Sequence, residues 1–141
     1  MVHHRATRAE IDLQAFRHNF QNLRSHISPQ TLIMAVVKAD AYGHGALPCA
    51  RLAFECGADY LGAGVIGEGI ELRQSVPDTP ILILGSIFPD EAEDLVRHDL
   101  ATIVCTLPLA QALSKEAEKQ NKTASVHIKV DTGMNLSLIH I

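Results

Sequence analysis

The chain has 141 residues, 47% of them hydrophobic and 20% charged, so it is long enough to form one soluble domain with an ordinary core. Its net charge is −4 and it has no cluster of Lys and Arg, which excludes a basic nucleic-acid-binding surface. The apolar runs are too short to span a membrane, and residues 1–13 lack the apolar stretch of a signal peptide, so we expect a cytoplasmic protein without a membrane partner.

The thiols and imidazoles do not form a metal or disulfide pattern. Cys49 and Cys56 lie on one face of a predicted helix, where reduced cysteines usually pack as small buried hydrophobes, and Cys105 stands apart. The histidines are scattered, and no pair within a predicted element has the spacing of metal ligands with acidic or thiol neighbours. We therefore expect no metal site.

The first predicted element is an amphipathic helix that begins after Asp12, a residue type that caps helix N-termini. Its apolar stripe consists of Leu13, Phe16, Phe20, Leu23 and Ile27. Residues 31–37, "TLIMAVV", follow a Ser-Pro-Gln break and predict a strand that is buried on both faces.

A second helix follows "KADAYGHG", with Leu47, Ala50 and Phe54 on its apolar side, and ends at Gly57. Strand and helix then alternate to the end of the chain. The further predicted strands are residues 59–66, 80–85, 101–105 and 125–130, and the helices between them are residues 67–75, 89–98 and 107–120. This alternation predicts βαβ units and a parallel sheet of about five strands, an α/β fold.

Two architectures fit this pattern. Five strands can form an open, doubly wound sheet that is complete in itself. They can also be part of an eight-stranded (β/α) barrel of the TIM type, which needs about 250 residues. Periodicity does not separate the two, but both place their chemistry at the carboxyl ends of the strands.

Lys38 directly follows the first strand, in the segment "AVVKADAYGHG". A lysine desolvated at such a rim can lose its proton and attack an aldehyde, although a solvated lysine that ends a strand is the simpler interpretation. The next residues favour a site. Gly43 and Gly45 allow close backbone approach, Tyr42 offers a hydroxyl to a phosphate oxygen, and His44 lies near the N-terminus of the next helix, where anions are favoured.

Residues 62–67, "GAGVIG", match the dinucleotide-binding pattern G-x-G-x-x-G. The match lies in the second strand–helix unit rather than the first, no acidic residue ends the next strand, and Gly62 and Gly64 are expected within the strand itself. The pattern is weak support for an open-sheet nucleotide-binding module, which is kept as an alternative.

The last strand delivers Lys129 and Asp131, which alternate with Val130 and should face the same side, the interior of a barrel. A buried lysine must be paired or chemically modified. A Lys–Asp pair on a solvated strand end is the alternative.

Taken together, "AEIDLQAFRHNF", "AVVKADAYGHGA", "GIELRQ", "PILILG" and "HIKVDTGMN" resemble, in this order, the N-terminal half of the alanine racemases, which are fold-type III enzymes that use pyridoxal 5′-phosphate (PLP). The resemblance runs over residues 9–135. It implies that residues 1–135 are the first part of a PLP-binding (β/α)8 barrel from a homodimeric enzyme that acts on a small amino acid, interconverting L- and D-alanine for peptidoglycan.

For the site, the resemblance implies that Lys38 binds the PLP aldehyde and exchanges the substrate's α-proton. Tyr42 would contact the PLP phosphate region, and Lys129 is similar to a lysine that is carbamylated in many family members. A related racemase for serine or several amino acids, and a non-catalytic PLP-binding barrel protein, are the alternatives.

The end of the chain departs from the family pattern. Residues 136–141, "LSLIHI", stand where the family continues with an arginine, so Leu136 replaces that residue and the tail is expected to be foreign to the family. We expect a truncated chain that lacks the second half of the barrel and the C-terminal domain, and that is inactive alone.

Overall fold

The computed structural model describes residues 7–136. The helical segments are α1 (Leu13–His26), α2 (Lys38–Gly43), α3 (Ala46–Glu55), α4 (Ile66–Ser75), α5 (Ala92–Arg97) and α6 (Leu107–Lys119), with a 3₁₀ turn at Pro89–Glu91 before α5. The strands are β1 (Met34–Val36), β2 (Tyr60–Ala63), β3 (Ile81–Ile83), β4 (Ala101–Val104) and β5 (Val126–Ile128). The predicted alternation of strand and helix is confirmed, with shorter strands than expected.

All neighbouring strands are parallel, and their order in the sheet is β1-β2-β3-β4-β5. A doubly wound sheet reverses its strand order at a switch point, whereas a barrel adds each strand beside the previous one. The observed order is therefore that of a partial α/β barrel, and the open doubly wound alternative is wrong. No helix within residues 7–136 is both long and apolar enough to cross a membrane.

The core lies between the helices and one face of the sheet. On the middle strands, Leu61, Ile81 and Ile83 are at most 1% exposed. They pack with Leu72, Leu95 and other apolar residues of the helices and loops. Burying side chains of this size contributes about 1.5–3 kcal/mol each, so this layer supplies much of the free energy that holds the sheet.

Helix α1 begins as the sequence predicts. Asp12 is its N-cap, and its carboxylate accepts hydrogen bonds from the N–H groups of Gln14 and Ala15. The apolar stripe is only partly buried, because Phe20 is 8% exposed whereas Leu23 is 51% exposed. Leu23, between Phe20 and the partly buried Ile27, is therefore outside the core.

Two burial predictions are wrong. Strand β1 is not buried on both faces, because Val37 is 3% exposed whereas Val36, which points to the other face, is 37% exposed. On α3, Phe54 is 48% exposed. The buried side of α3 consists instead of Cys49, Ala50, Leu52 and Ala53. Cys49 is buried as predicted, but Cys56 is only partly so.

Arg73 on α4 connects three segments through backbone oxygens. Its guanidinium donates to the carbonyls of Pro77 and Thr79 at 2.7 Å, and to those of His98 and Asp99 at 3.1 and 2.8 Å. Burial lowers the pKa of Arg73, and the nearby carboxylates of Asp99 and Asp78 partly oppose this. The fork of donors thus ties the end of α4 to the loops that lead into β3 and β4.

We predict that Arg73→Ala lowers the free energy of unfolding by about 3 kcal/mol or more, because several carbonyls lose a charged donor. Arg51→Ala is the control, since Arg51 is exposed and makes one 3.4 Å contact with Ser75. Urea unfolding followed by circular dichroism, at one protein concentration, measures both. Equal stability of the two variants would contradict this account of Arg73.

Strands β1 and β5 each have one neighbour in the described sheet, so each leaves backbone N–H and C=O groups unpaired. The β5 edge is also apolar, since Val126 is 48% and Ile128 82% exposed. These two residues line a groove of about 510 Å³ between β5 and α6. Both edges are suited to pairing with another chain.

We therefore predict that the 141-residue chain forms oligomers or aggregates at micromolar concentration. Sedimentation velocity measures this directly. Ile128→Lys places a charge on the exposed edge and should shift the distribution towards monomer. A wild-type chain that sediments as a monomer at these concentrations would contradict the prediction.

Candidate functional site

The carboxyl ends of β1, β2 and β3 meet at Lys38 and two glycines. The Val37 N–H donates to the Gly62 oxygen at 2.9 Å, which extends the pairing of β1 up to Lys38. Beyond β2, the Gly85 N–H donates to the Gly64 oxygen at 3.0 Å. Lys38 is exposed, and its Cβ lies 3.4 Å from where a Cβ on Gly64 would stand. The sequence prediction that Lys38 ends a strand at this edge is confirmed.

The chain turns sharply after Lys38 through a left-handed helical segment. Ala39, Asp40, Ala41 and Tyr42 all have φ between 51° and 56°. This conformation costs roughly 1–2 kcal/mol for each residue other than glycine, so the surrounding contacts must hold it. The sequence predicted a loop here. It gave no signal for the left-handed run beyond the glycines at 43 and 45, which also have positive φ.

Hydrogen bonds to Asp40 and Ala41 hold this left-handed segment. The Asp40 carboxylate accepts from the Ala46 N–H, at the start of α3, at 2.6 Å. The backbone oxygen of Asp40 accepts from the Gly45 N–H at 3.0 Å. The His44 ring lies 2.8 Å from the Ala41 oxygen. The residues that follow Lys38 are thus fixed against α3 rather than free in solvent.

A carboxylate that the sequence analysis missed also contacts this segment. Glu68, in the first turn of α4, accepts from the Ala39 N–H at 2.8 Å and from the Gly64 N–H at 2.7 Å. An acidic residue in the first turn of a helix was the available signal. Gly62 lies within β2 and Gly64 just after it, and the Gly64 N–H is bound by the chain's own carboxylate. The nucleotide phosphate turn is therefore not formed.

Tyr42 lies at the other end of α2, and 61% of it is exposed. It lines an apolar groove of about 340 Å³ along β1, together with Phe16, Val36 and His44, and Lys38 is not among the lining residues. The left-handed segment thus joins Lys38 at the sheet edge to an exposed Tyr42.

Lys129 continues the last strand, since its N–H donates to the Val104 oxygen at 3.0 Å. Lys129 and Asp131 are half-buried whereas Val130 is 75% exposed, which fits the predicted alternation. Lys129 is not brought next to Lys38, because β2, β3 and β4 separate β1 from β5.

The alternative, an ion pair between Lys129 and Asp131, is not among the ion pairs of residues 7–136. The Asp131 carboxylate instead accepts from the N–H groups of Gly133 at 2.8 Å and Asn135 at 3.2 Å. These backbone hydrogen bonds, that of Gly133 first, lower the pKa of Asp131, and Lys129 contributes a smaller electrostatic effect.

The residues at the edge fit an aldehyde cofactor such as PLP. Lys38 has a primary amine and lies next to Gly64, the glycine that follows β2, while Gly85 follows β3. A Cβ on Gly85 would stand 2.3 Å from the Gly64 oxygen, and one on Gly64 would stand 3.2 Å from Glu68. The space that a Cβ would need at either glycine is thus taken by other protein atoms, so glycine lets the ends of β2 and β3, Glu68 and Lys38 lie this close together. No cluster of three or more metal-ligating side chains occurs in residues 7–136.

The sheet order and the strand-end lysine define the class: a segment of an α/β barrel with a candidate amine nucleophile at its carboxyl edge. The sequence profile described as "Alanine racemase, N-terminal domain" matches residues 11–137. The chain therefore belongs to the alanine racemase family.

Individual relatives agree with this assignment. Alanine racemase 1 of Caldanaerobacter subterraneus subsp. tengcongensis is 45% identical over 130 residues, which is 92% of this chain and 34% of the relative. The alanine racemase structure from Streptomyces coelicolor A3(2) superposes with a TM-score of 0.82 at 36% identity, over 89% of this chain and 34% of that one. That from Clostridium difficile 630 gives 0.80 at 36% identity, over 88% and 32%. The chain thus spans about a third of their length.

The lowered pKa of Asp131 predicts an acid-sensitive turn at residues 131–135. The ionised carboxylate is favoured in the folded turn, so its stabilising effect is present above the ordinary aspartate pKa of about 3.9 and is lost as the pH falls through the lower folded value. We expect the Gly133 amide resonance to shift as the pH falls below the ordinary aspartate pKa of about 3.9. The same titration of Asp131→Asn should show no such shift, and an identical shift in both would assign the transition to another group.

Proposed function

We propose that the protein is a PLP-dependent racemase of a small amino acid, alanine, as the family's name states. The observation that supports this most is the position of Lys38, at the carboxyl end of β1 over Gly64, in a chain of this family. The proposal includes a cytoplasmic location and a homodimeric assembly, both expected from the sequence. It also includes residues 136–141 as a tail foreign to the family.

When bound, PLP would supply an electron sink for the carbanion that forms when the α-proton leaves the substrate. Lys38 would hold the cofactor aldehyde and accept or return that proton at its amine nitrogen. Tyr42 would donate its hydroxyl to a phosphate oxygen.

Racemisation needs a second acid/base group on the opposite face of the substrate. The other tyrosine, Tyr60, lies at the start of β2, away from the carboxyl ends of the strands. The Glu68 carboxylate at this edge is already engaged by two backbone N–H groups, so we propose that the second acid/base group lies outside residues 7–136. A positioned acid/base group contributes about 10²–10⁴-fold to the rate, so the 141-residue chain alone should show no measurable turnover.

Lys129 is proposed as the carbamylated lysine. Its neutral amine would add to carbon dioxide and release one proton, which turns a cationic side chain into an anionic one. The neighbouring Asp131 is already engaged by the N–H groups of its own turn, so it leaves Lys129 without an ion pair among the described residues.

A non-catalytic PLP-binding protein is the second candidate. The observation that favours it is that Lys38 is the one acid/base group that we assign to the carboxyl edge of the sheet within residues 7–136. The two functions differ in one observable: a racemase should exchange the α-hydrogen of alanine with D₂O faster than free PLP does, and Lys38→Ala should remove that excess, whereas a protein that only binds PLP should show no excess.

We predict that PLP followed by borohydride modifies Lys38 in preference to exposed lysines. The amine adds to the aldehyde with loss of one water, and borohydride then supplies hydride to the carbon–nitrogen double bond. Peptide mass spectrometry should place the pyridoxyl group on Lys38, and Lys38→Ala should remove it.

The internal controls are Lys115 and Lys119, which are exposed on α6, and Lys122, which contacts backbone oxygens of α5. Equal modification at Lys38 and Lys115 would mean that PLP reacts with any surface amine. That outcome would overturn the proposed role of Lys38.

A further inference from the structure

The Glu68 carboxylate links the segment that contains Lys38 to the neighbouring strand. One oxygen accepts from the Ala39 N–H at 2.8 Å and the other from the Gly64 N–H at 2.7 Å. Each oxygen therefore has its own backbone donor, and Glu68 is half-buried between them. The carboxylate bridges the end of β1 and the end of β2.

The two donors belong to the peptide groups that matter most for the orientation of Lys38. The Ala39 N–H is part of the peptide group that joins Lys38 to Ala39, so holding it fixes the ψ angle of Lys38. The Gly64 N–H belongs to the residue over which the Cβ of Lys38 packs. A single carboxylate thus fixes both the lysine backbone and the surface beneath its side chain.

Glu68 is the partner that the structure gives to both donors. Among the hydrogen bonds of residues 7–136, those of the Ala39 and Gly64 N–H groups go to Glu68. The strained left-handed run begins at Ala39, directly after Lys38. Without the carboxylate, the Ala39 N–H would lose the acceptor that the structure gives it at this junction.

We propose that Glu68 is a positioning residue that holds Lys38 in the orientation needed to react at the sheet edge. This inference rests on the proposed function of Lys38 and adds to it the group that fixes its geometry. Glu68 acts through the backbone and does not itself touch the cofactor or substrate. Its effect should therefore be seen at Lys38 and at the two bonded amides, and not across the whole sheet.

Glu68→Gln is the informative substitution. The glutamine keeps the size of the side chain, but its amide has one acceptor oxygen and one NH₂ donor, so only one of the two N–H groups can be satisfied. Glu71→Gln is the matched control, because it removes the same charge from an exposed position on the same helix.

Two readouts are needed on the 141-residue chain. Hydrogen exchange, measured by mass spectrometry on peptides that contain Ala39 and Gly64, reports the bridge without any cofactor. Modification by PLP and borohydride reports the reactivity of Lys38. In Glu68→Gln we expect faster hydrogen exchange in these peptides, and we expect PLP and borohydride to modify Lys38 about 10-fold more slowly than in the wild type. The modification of Lys115 and the far-UV circular dichroism should be unchanged. Glu71→Gln should behave as wild type.

Unchanged exchange and unchanged Lys38 modification in Glu68→Gln would overturn the proposal. If that variant does not fold, Glu68→Asp keeps the charge and both oxygens on a shorter side chain and should fold with slower Lys38 modification. Failure of both to fold would make Glu68 a general stabilising residue and would also overturn it. Wild-type Lys38 modified no faster than Lys115 would refute the proposed function, while hydrogen exchange would still decide whether the bridge exists.

Discussion

The candidate site depends on the left-handed turn that follows β1. Four consecutive residues other than glycine adopt a conformation that L-amino acids avoid, and they do so directly after Lys38. An extended continuation would carry the chain away from the sheet. The turn instead brings it back, through the Asp40 contact with the start of α3, so that Lys38 stays at the edge where strands β1 and β2 end.

The parallel sheet brings the carboxyl ends of its strands to one edge. Because all five strands run in the same direction in sequential order, their carboxyl ends lie together, and the loops that follow them can contribute to one surface. Glycines also matter for this packing. At Gly85 a Cβ would meet the backbone oxygen of Gly64, so the ends of β2 and β3 come this close only with glycine at position 85. At Gly69 a Cβ would stand 2.7 Å from the terminal carbon of the Ile83 side chain, which would have to shift.

The sequence was sufficient for the features that follow from local patterns. Apolar periodicity located the five strands and the helices between them, and Asp12 was recognisable as a helix cap. The family resemblance identified the lysine motif. The burial of β1 was overestimated, because a run of apolar residues does not show whether both faces of the strand are covered. Phe54 was assigned to the wrong face of α3 because small residues, not the largest one, pack there.

The features that could not be predicted depend on contacts between distant residues. The left-handed run consists of Ala, Asp and Tyr, none of which has a local preference strong enough to reveal it, so its cause lies in contacts with α3 and α4. The bridge made by Glu68 is equally invisible, because its two donors come from different strand ends. In both cases the sequence names the residues, and only the packed structure brings them together.

The measurement that most directly tests this account is the effect of Ala39→Gly on stability. Ala39 is exposed and its φ is 51°, so glycine should relieve left-handed strain while keeping the N–H that Glu68 binds. Because glycine also loses more backbone entropy on folding, we expect a net gain of up to about 1 kcal/mol in the free energy of unfolding. Ala15→Gly, at an exposed position in right-handed α1, should instead lose about 0.5–1 kcal/mol. Urea unfolding at one protein concentration compares the two, and a similar loss of stability in both variants would show that the chain after Lys38 is not left-handed.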